Sequence, residues 1–87
     1  MTQDEAIEKV RPLLDGKVFE DVQKEHLKDE SSYNWNFYRL SDGTKIHVKT
    51  DEFYETDEIY LVDGKNEIYV GYCTCFKEMV ITKWFPT

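Results

Sequence analysis

The apolar residues of this chain keep one period up to Gly16 and another after it. Ala6, Ile7, Val10 and Leu13 or Leu14 recur at helical spacing, whereas Ile46 and Val48 alternate with Lys45, His47 and Lys49. A repeat of three to four residues suits a helix packed along one stripe, and a repeat of two suits a half-buried strand. The chain therefore divides into one helix followed by strands. Thr2 and Glu5 have the spacing of a capping box at the helix start. Pro12 interrupts the stripe, because an interior proline loses a hydrogen bond and clashes with the carbonyl four residues back. Regular helix is thus expected to close near Arg11, with Asp15-Gly16 as the stop.

Residues 18–24 alternate weakly. Residues 33–40 alternate strongly, with Tyr33, Trp35 and Phe37 on one face and Asn34, Asn36 and Tyr38 on the other. Ser41-Asp42-Gly43 turns the chain into residues 44–50. Residues 58–62 and 67–75 flank Asp63-Gly64-Lys65-Asn66 as a second hairpin, and residues 77–85 read as a last strand. The fold class expected is α+β: one N-terminal helix packed on a five- to six-stranded antiparallel, meander-like sheet. A strongly curved half-barrel is the alternative.

At 87 residues, a second domain would be too small to close a core, so residues 1–87 form a single compact domain. No apolar run approaches the ~20 residues that span a bilayer. Met1-Thr2-Gln3-Asp4-Glu5 is acidic where a signal peptide is basic, so a cytoplasmic location without membrane contact is expected. Cys73 and Cys75 lie two apart, which is poor geometry for a disulfide, and free thiols fit a reducing compartment.

The charge is uneven. Residues 1–50 carry ten acids and eight bases, while residues 51–87 carry eight acids and three bases. Asp51, Glu52, Glu55, Asp57, Glu58 and Asp63 fall within thirteen residues that hold no lysine or arginine, and Phe53, Tyr54 and Tyr60 are interleaved with them. Such a segment suits a basic protein surface, since complementary charge steers association and aromatic rings supply contact area and stack on arginine. The partner-binding residues expected are Asp51, Glu52, Phe53, Tyr54, Glu55, Asp57, Glu58 and Asp63. They form an anionic ledge between two hairpins. The competing reading is a solvated loop that maintains solubility or guards a sheet edge.

Other chemistries fit less well. An EF-hand needs a glycine and a carboxylate spacing absent from residues 51–58. The aromatic run at 33–38 resembles a base-stacking platform, but a net charge of −7 opposes direct nucleic-acid binding. Cys73, Cys75, His26 and His47 match a zinc inventory without zinc spacing, so no metal or other cofactor is assigned. No activated nucleophile or phosphate-binding glycine loop is present, and no enzymatic activity is expected. In size, acidity and aromatic content, the chain is similar in type, though not in sequence, to small phage-type inhibitors of defence enzymes and to immunity proteins. That similarity implies a non-enzymatic inhibitor that docks a basic, nucleic-acid-binding surface by mimicking a phosphate backbone. A small-ligand or metal module using the sheet face or the Cys73/Cys75 pair is one alternative. A self-associating homodimer is another.

Overall fold

A computed structural model describes residues 1–15, 36–53, 55–74 and Trp84 in full, together with the backbone of residues 23–25 and 82–83. Helix α1 (Gln3–Leu14) starts at the expected capping box. The Glu5 amide donates to Thr2 Oγ1 at 3.2 Å, and the Thr2 amide donates to Glu5 Oε1 at 3.1 Å. The Thr2 amide, then the Thr2 hydroxyl, hydrogen-bond to the Glu5 carboxyl and hold it below its ordinary pKa. Ala6, Val10 and Leu14 are fully buried, with Ile7 and Leu13 packed beside them.

The helix does not close near Arg11; it runs through Pro12 to Leu14. Pro12 lies in the last turn, where its missing N–H denies the Glu8 carbonyl a helical hydrogen bond. Burying Leu14 returns roughly 1.5–3 kcal/mol, comparable with the ~3 kcal/mol proline penalty. Asp15 then caps the helix in extended backbone, its amide donating to the Arg11 carbonyl at 2.8 Å.

The strands are β1 (Gln23–Glu25), β2 (Phe37–Arg39), β3 (Lys45–Asp51), β4 (Thr56–Asp63), β5 (Asn66–Cys73) and β6 (Thr82–Trp84). Strands β2 to β5 form a four-stranded antiparallel sheet in chain order. Three-residue pairings extend it at both edges, Gln23 opposite Arg39 and Trp84 opposite Gly71. Helix and antiparallel sheet together make the expected α+β arrangement. The expected strand residues 18–22, 33–35, 75–81 and 85 lie outside the described residues, as does the stop residue Gly16. Among the described residues, no helix is long and apolar enough to cross a membrane.

Two glycines make turns that other residues resist. Gly43 takes φ +91° between β2 and β3, where its amide donates to the Leu40 carbonyl at 2.9 Å. Gly64 takes φ +62° at the first central position of the two-residue loop between paired Asp63 and Asn66. A glycine there is the signature of a type II′ hairpin.

The acidic segment joins the β2–β3 hairpin to the β4–β5 hairpin, as expected, but much of it is strand. Strand β3 pairs directly with β4, placing Thr50 opposite Asp57 and Asp51 opposite Thr56. Glu52, Phe53 and Glu55 therefore stand at the tip of the β3–β4 hairpin, and the rest of the described segment is strand. Glu55 enters the left-handed region at φ +55°, an uncommon conformation for a non-glycine residue.

Alternate residues of the sheet, including Ile46, Val48, Ile59 and Leu61, face α1 and are buried. On β5 this alternation is reset. Tyr60 pairs with Tyr69 but Ile59 pairs with Gly71, which leaves Val70 as the extra residue of a β-bulge. The bulge turns Val70 and Cys73 into the core, and it leaves Tyr69 and Tyr72 together on the outer face. Gln3 Nε2 donates to the Tyr69 carbonyl at 3.0 Å, tying the helix start to the bulge.

Candidate functional site

The sheet face away from α1 carries a polar and aromatic array built by the cross-strand register. Phe37, His47, Tyr60 and Tyr69 form one row, and Lys49, Glu58 and Tyr72 form the next. Phe37 and His47 stack with ring centroids 4.0 Å apart at an interplanar angle of 12°. Tyr60 and Tyr69 sit 5.3 Å apart at 50°. Lys49 Nζ lies 4.4 Å from the centre of the Tyr60 ring.

Glu67 joins the two bases of this face. Its Oε1 lies 2.7 Å from Lys49 Nζ, and its Oε2 lies 2.7 Å from His47 Nδ1. Burial raises the pKa of Glu67, but the hydrogen bonds from Lys49 and His47 and their charges outweigh it, leaving the carboxyl below the usual range. As an ionised acceptor, Glu67 requires the His47 proton on Nδ1. Glu58 is held differently. Among the described residues it accepts a single long bond, 3.4 Å from the Tyr60 hydroxyl. Burial, then the Glu58 charge, pushes the Tyr60 and Tyr69 hydroxyls above their ordinary pKa.

The residues expected to bind a partner divide into three groups. Asp51, Glu52, Phe53 and Glu55 cluster at the hairpin tip. There the Phe53 amide donates to Asp51 Oδ1 at 3.0 Å, and the Phe53 ring is 84% exposed. Asp57 and Glu58 begin β4 and alternate across it. Glu58 faces the outer array, while Asp57 Oδ1 accepts from Thr50 Oγ1 at 3.0 Å. Asp63 ends β4, about 20 Å of strand from Asp57, with one carboxylate oxygen 4.0 Å from the Met1 amino group. Tyr54 lies outside the described residues. The tip and Glu58 thus share one end of the sheet, and Asp63 does not belong to it.

A pocket of about 380 Å³ opens at that same end, lined by Asp51, Thr56, Glu58, Tyr69 and Tyr72. Thr56, Tyr69 and Tyr72 escaped the sequence reading. Strict alternation along residues 67–75 sends Tyr69 and Tyr72, three apart, to opposite faces; the bulge brings them to one. Gly71 was the available signal, because a glycine inside a strand pattern often marks a bulge.

Of the zinc inventory, the described pair Cys73 and His47 lie on opposite faces of the sheet. Cys73 is fully buried on the core face, its Sγ 3.9 Å from the Asp57 carbonyl, whereas His47 stands on the outer face. Among the described residues, no three His, Cys, Asp or Glu side chains could hold a metal ion together. Cys75 and His26 lie outside them. No protein-family model, curated protein or solved structure matches this chain.

Proposed function

We propose that the chain is a non-enzymatic interaction module in which the β3–β4 hairpin tip docks a basic surface on a partner protein, acting as that partner's inhibitor. The observation that carries this is Phe53. A phenylalanine exposed over 84% of its surface contributes almost nothing to folding. Burial against a partner would return roughly 1.5–3 kcal/mol. Its backbone is already fixed by the Asp51 side chain, so little ordering entropy opposes contact. Asp51, Glu52 and Glu55 surround it with negative charge, which selects a basic partner and raises the association rate.

A basic surface that ordinarily holds nucleic acid is the natural target, with the tip carboxylates standing where phosphates would. The reading includes a cytoplasmic setting, in keeping with the free thiol of Cys73. It also includes a complete six-stranded meander as the platform.

Affinity capture with the full chain tests the proposal. Phe53→Ala combined with Glu52→Lys and Glu55→Lys, all at exposed positions, should abolish retention of a basic protein that the wild type releases in high salt. Retention unaffected by the triple change would remove the tip as the docking site.

A further inference from the structure

We infer that the pocket beside the tip accepts a single arginine side chain of the docked partner, its guanidinium held between the Tyr69 and Tyr72 rings and the carboxylates of Glu58 and Asp51. This rests on the docking reading and adds the chemistry by which the partner is recognised. Asp51 and Thr56, the paired residues at the base of the tip, also line the pocket. Phe53 and the cavity therefore meet a partner together.

Three features select the occupant. At about 380 Å³, the cavity is near the small end of the ~300–1,000 Å³ range of ligand pockets, which suits one long side chain. Its walls include two tyrosine rings brought to one face by the bulge at Val70. Its charge comes from Glu58, for which no ion pair forms among the described residues. Lys49 stands directly across the strands from Glu58 but gives its ammonium to Glu67 at 2.7 Å. Glu58 thus keeps acceptor capacity while its nearest cation is engaged elsewhere.

A planar cation that stacks on aromatic faces and forks onto carboxylates matches this lining better than an ammonium, a strongly hydrated point charge. An anionic ligand would meet repulsion from both acids. No metal-binding group of three exists here among the described residues.

The test uses acetyl-Gly-Arg-Gly-amide as probe, titrated at millimolar concentration into the full chain and followed by NMR. The citrulline peptide, equal in shape but uncharged, and the lysine peptide are the controls. Saturable shifts at Tyr69, Tyr72 and Glu58 are expected from the arginine peptide, with the lysine peptide weaker and the citrulline peptide silent. Glu58→Gln and Tyr72→Ala should each weaken binding about fivefold to tenfold, whereas Tyr72→Phe, which keeps the ring, should bind like wild type.

Equal responses to arginine and citrulline, or shifts confined to the Phe53 tip, overturn the inference. Phe53→Ala separates it from the docking reading, since that change should abolish partner capture but leave the peptide titration intact. A peptide that fails to bind while Phe53→Ala still abolishes capture sinks the arginine pocket alone. Peptide binding with capture indifferent to Phe53→Ala sinks docking through the tip alone.

Discussion

Replacing Glu67 by glutamine tests whether the outer array contributes to folding through its charge. The side chain keeps its shape, but the contacts to His47 Nδ1 and Lys49 Nζ, each at 2.7 Å, lose their ionised acceptor. Charge-assisted hydrogen bonds of this length contribute about 1.5–3 kcal/mol when shielded, and exposed ion pairs about 0.2–1 kcal/mol. The Glu67 and Lys49 side chains retain 27% and 43% of their exposure, so solvent screening puts the pair of contacts toward the lower figure. The expected loss at pH 7 is about 1 kcal/mol, or some 4–8 °C in Tm for a chain of this size.

The pH dependence follows from the lowered pKa of Glu67. Below its ordinary value of about 4.3, the unfolded chain binds a proton that the folded chain resists, so stability rises with pH through this window. The contribution is complete above the unfolded pKa and disappears as pH falls through the folded one. Urea melts of wild type and Glu67→Gln should differ by about 1 kcal/mol at pH 7 and converge as the pH falls through the lowered folded-state pKa. One molar salt at pH 7 should shrink the gap, because it shortens the screening length to about 3 Å. A gap that persists unchanged at low pH would show that Glu67 acts through packing, and the electrostatic account would be wrong.

Ile59→Ala removes a fully buried side chain facing α1 and should cost about 2–5 kcal/mol in urea unfolding. Gly64→Ala should cost roughly 1–2 kcal/mol: no atom lies within 4 Å of the new Cβ, so the loss comes from φ +62° alone. Substituting Gly64→Asn, a better left-handed residue, should recover part of it in the same melts. On a Cys75→Ser background, Cys73 should resist a thiol reagent until the chain unfolds, because its side chain is fully buried on the core face. Modification as fast as for a free thiol would place Cys73 at the surface.

Local signals proved readable where the structure is local. The Thr2–Glu5 capping box needs only a three-residue spacing, and it forms. Asp42-Gly43 and Gly64 mark turns because positive φ is cheap for glycine, and Ile46 and Val48 alternate into the core as their period requires. Features set by tertiary contact were not readable in this way. Pro12 stays inside α1 because Leu14 has a buried site to reach, and no propensity records that site. The acidic connection hid its tight turn because Glu55 holds a left-handed position without the glycine or asparagine that would announce it. Asp63 was grouped with the tip by sequence distance, yet eight residues of extended strand carry it to the other end of β4.

The β5 bulge had the largest consequence for the site. Without Val70 as an extra residue, Tyr72 and Cys73 would exchange faces: a polar ring would enter the core and a thiol would reach the outer array. With it, both tyrosines flank the pocket and Cys73 fills the core beneath Asp57. The bulge exposes backbone polar groups that the ladder cannot pair, and Gln3, 66 residues away, donates to the Tyr69 carbonyl at that position. The first residue of α1 thus stabilises the irregularity that builds the pocket, while Ala6, Val10 and Leu14 hold the helix in register with it. Helix, bulge and tyrosine pair form one mechanical unit, so the orientation of the pocket wall depends on packing at the opposite face of the sheet.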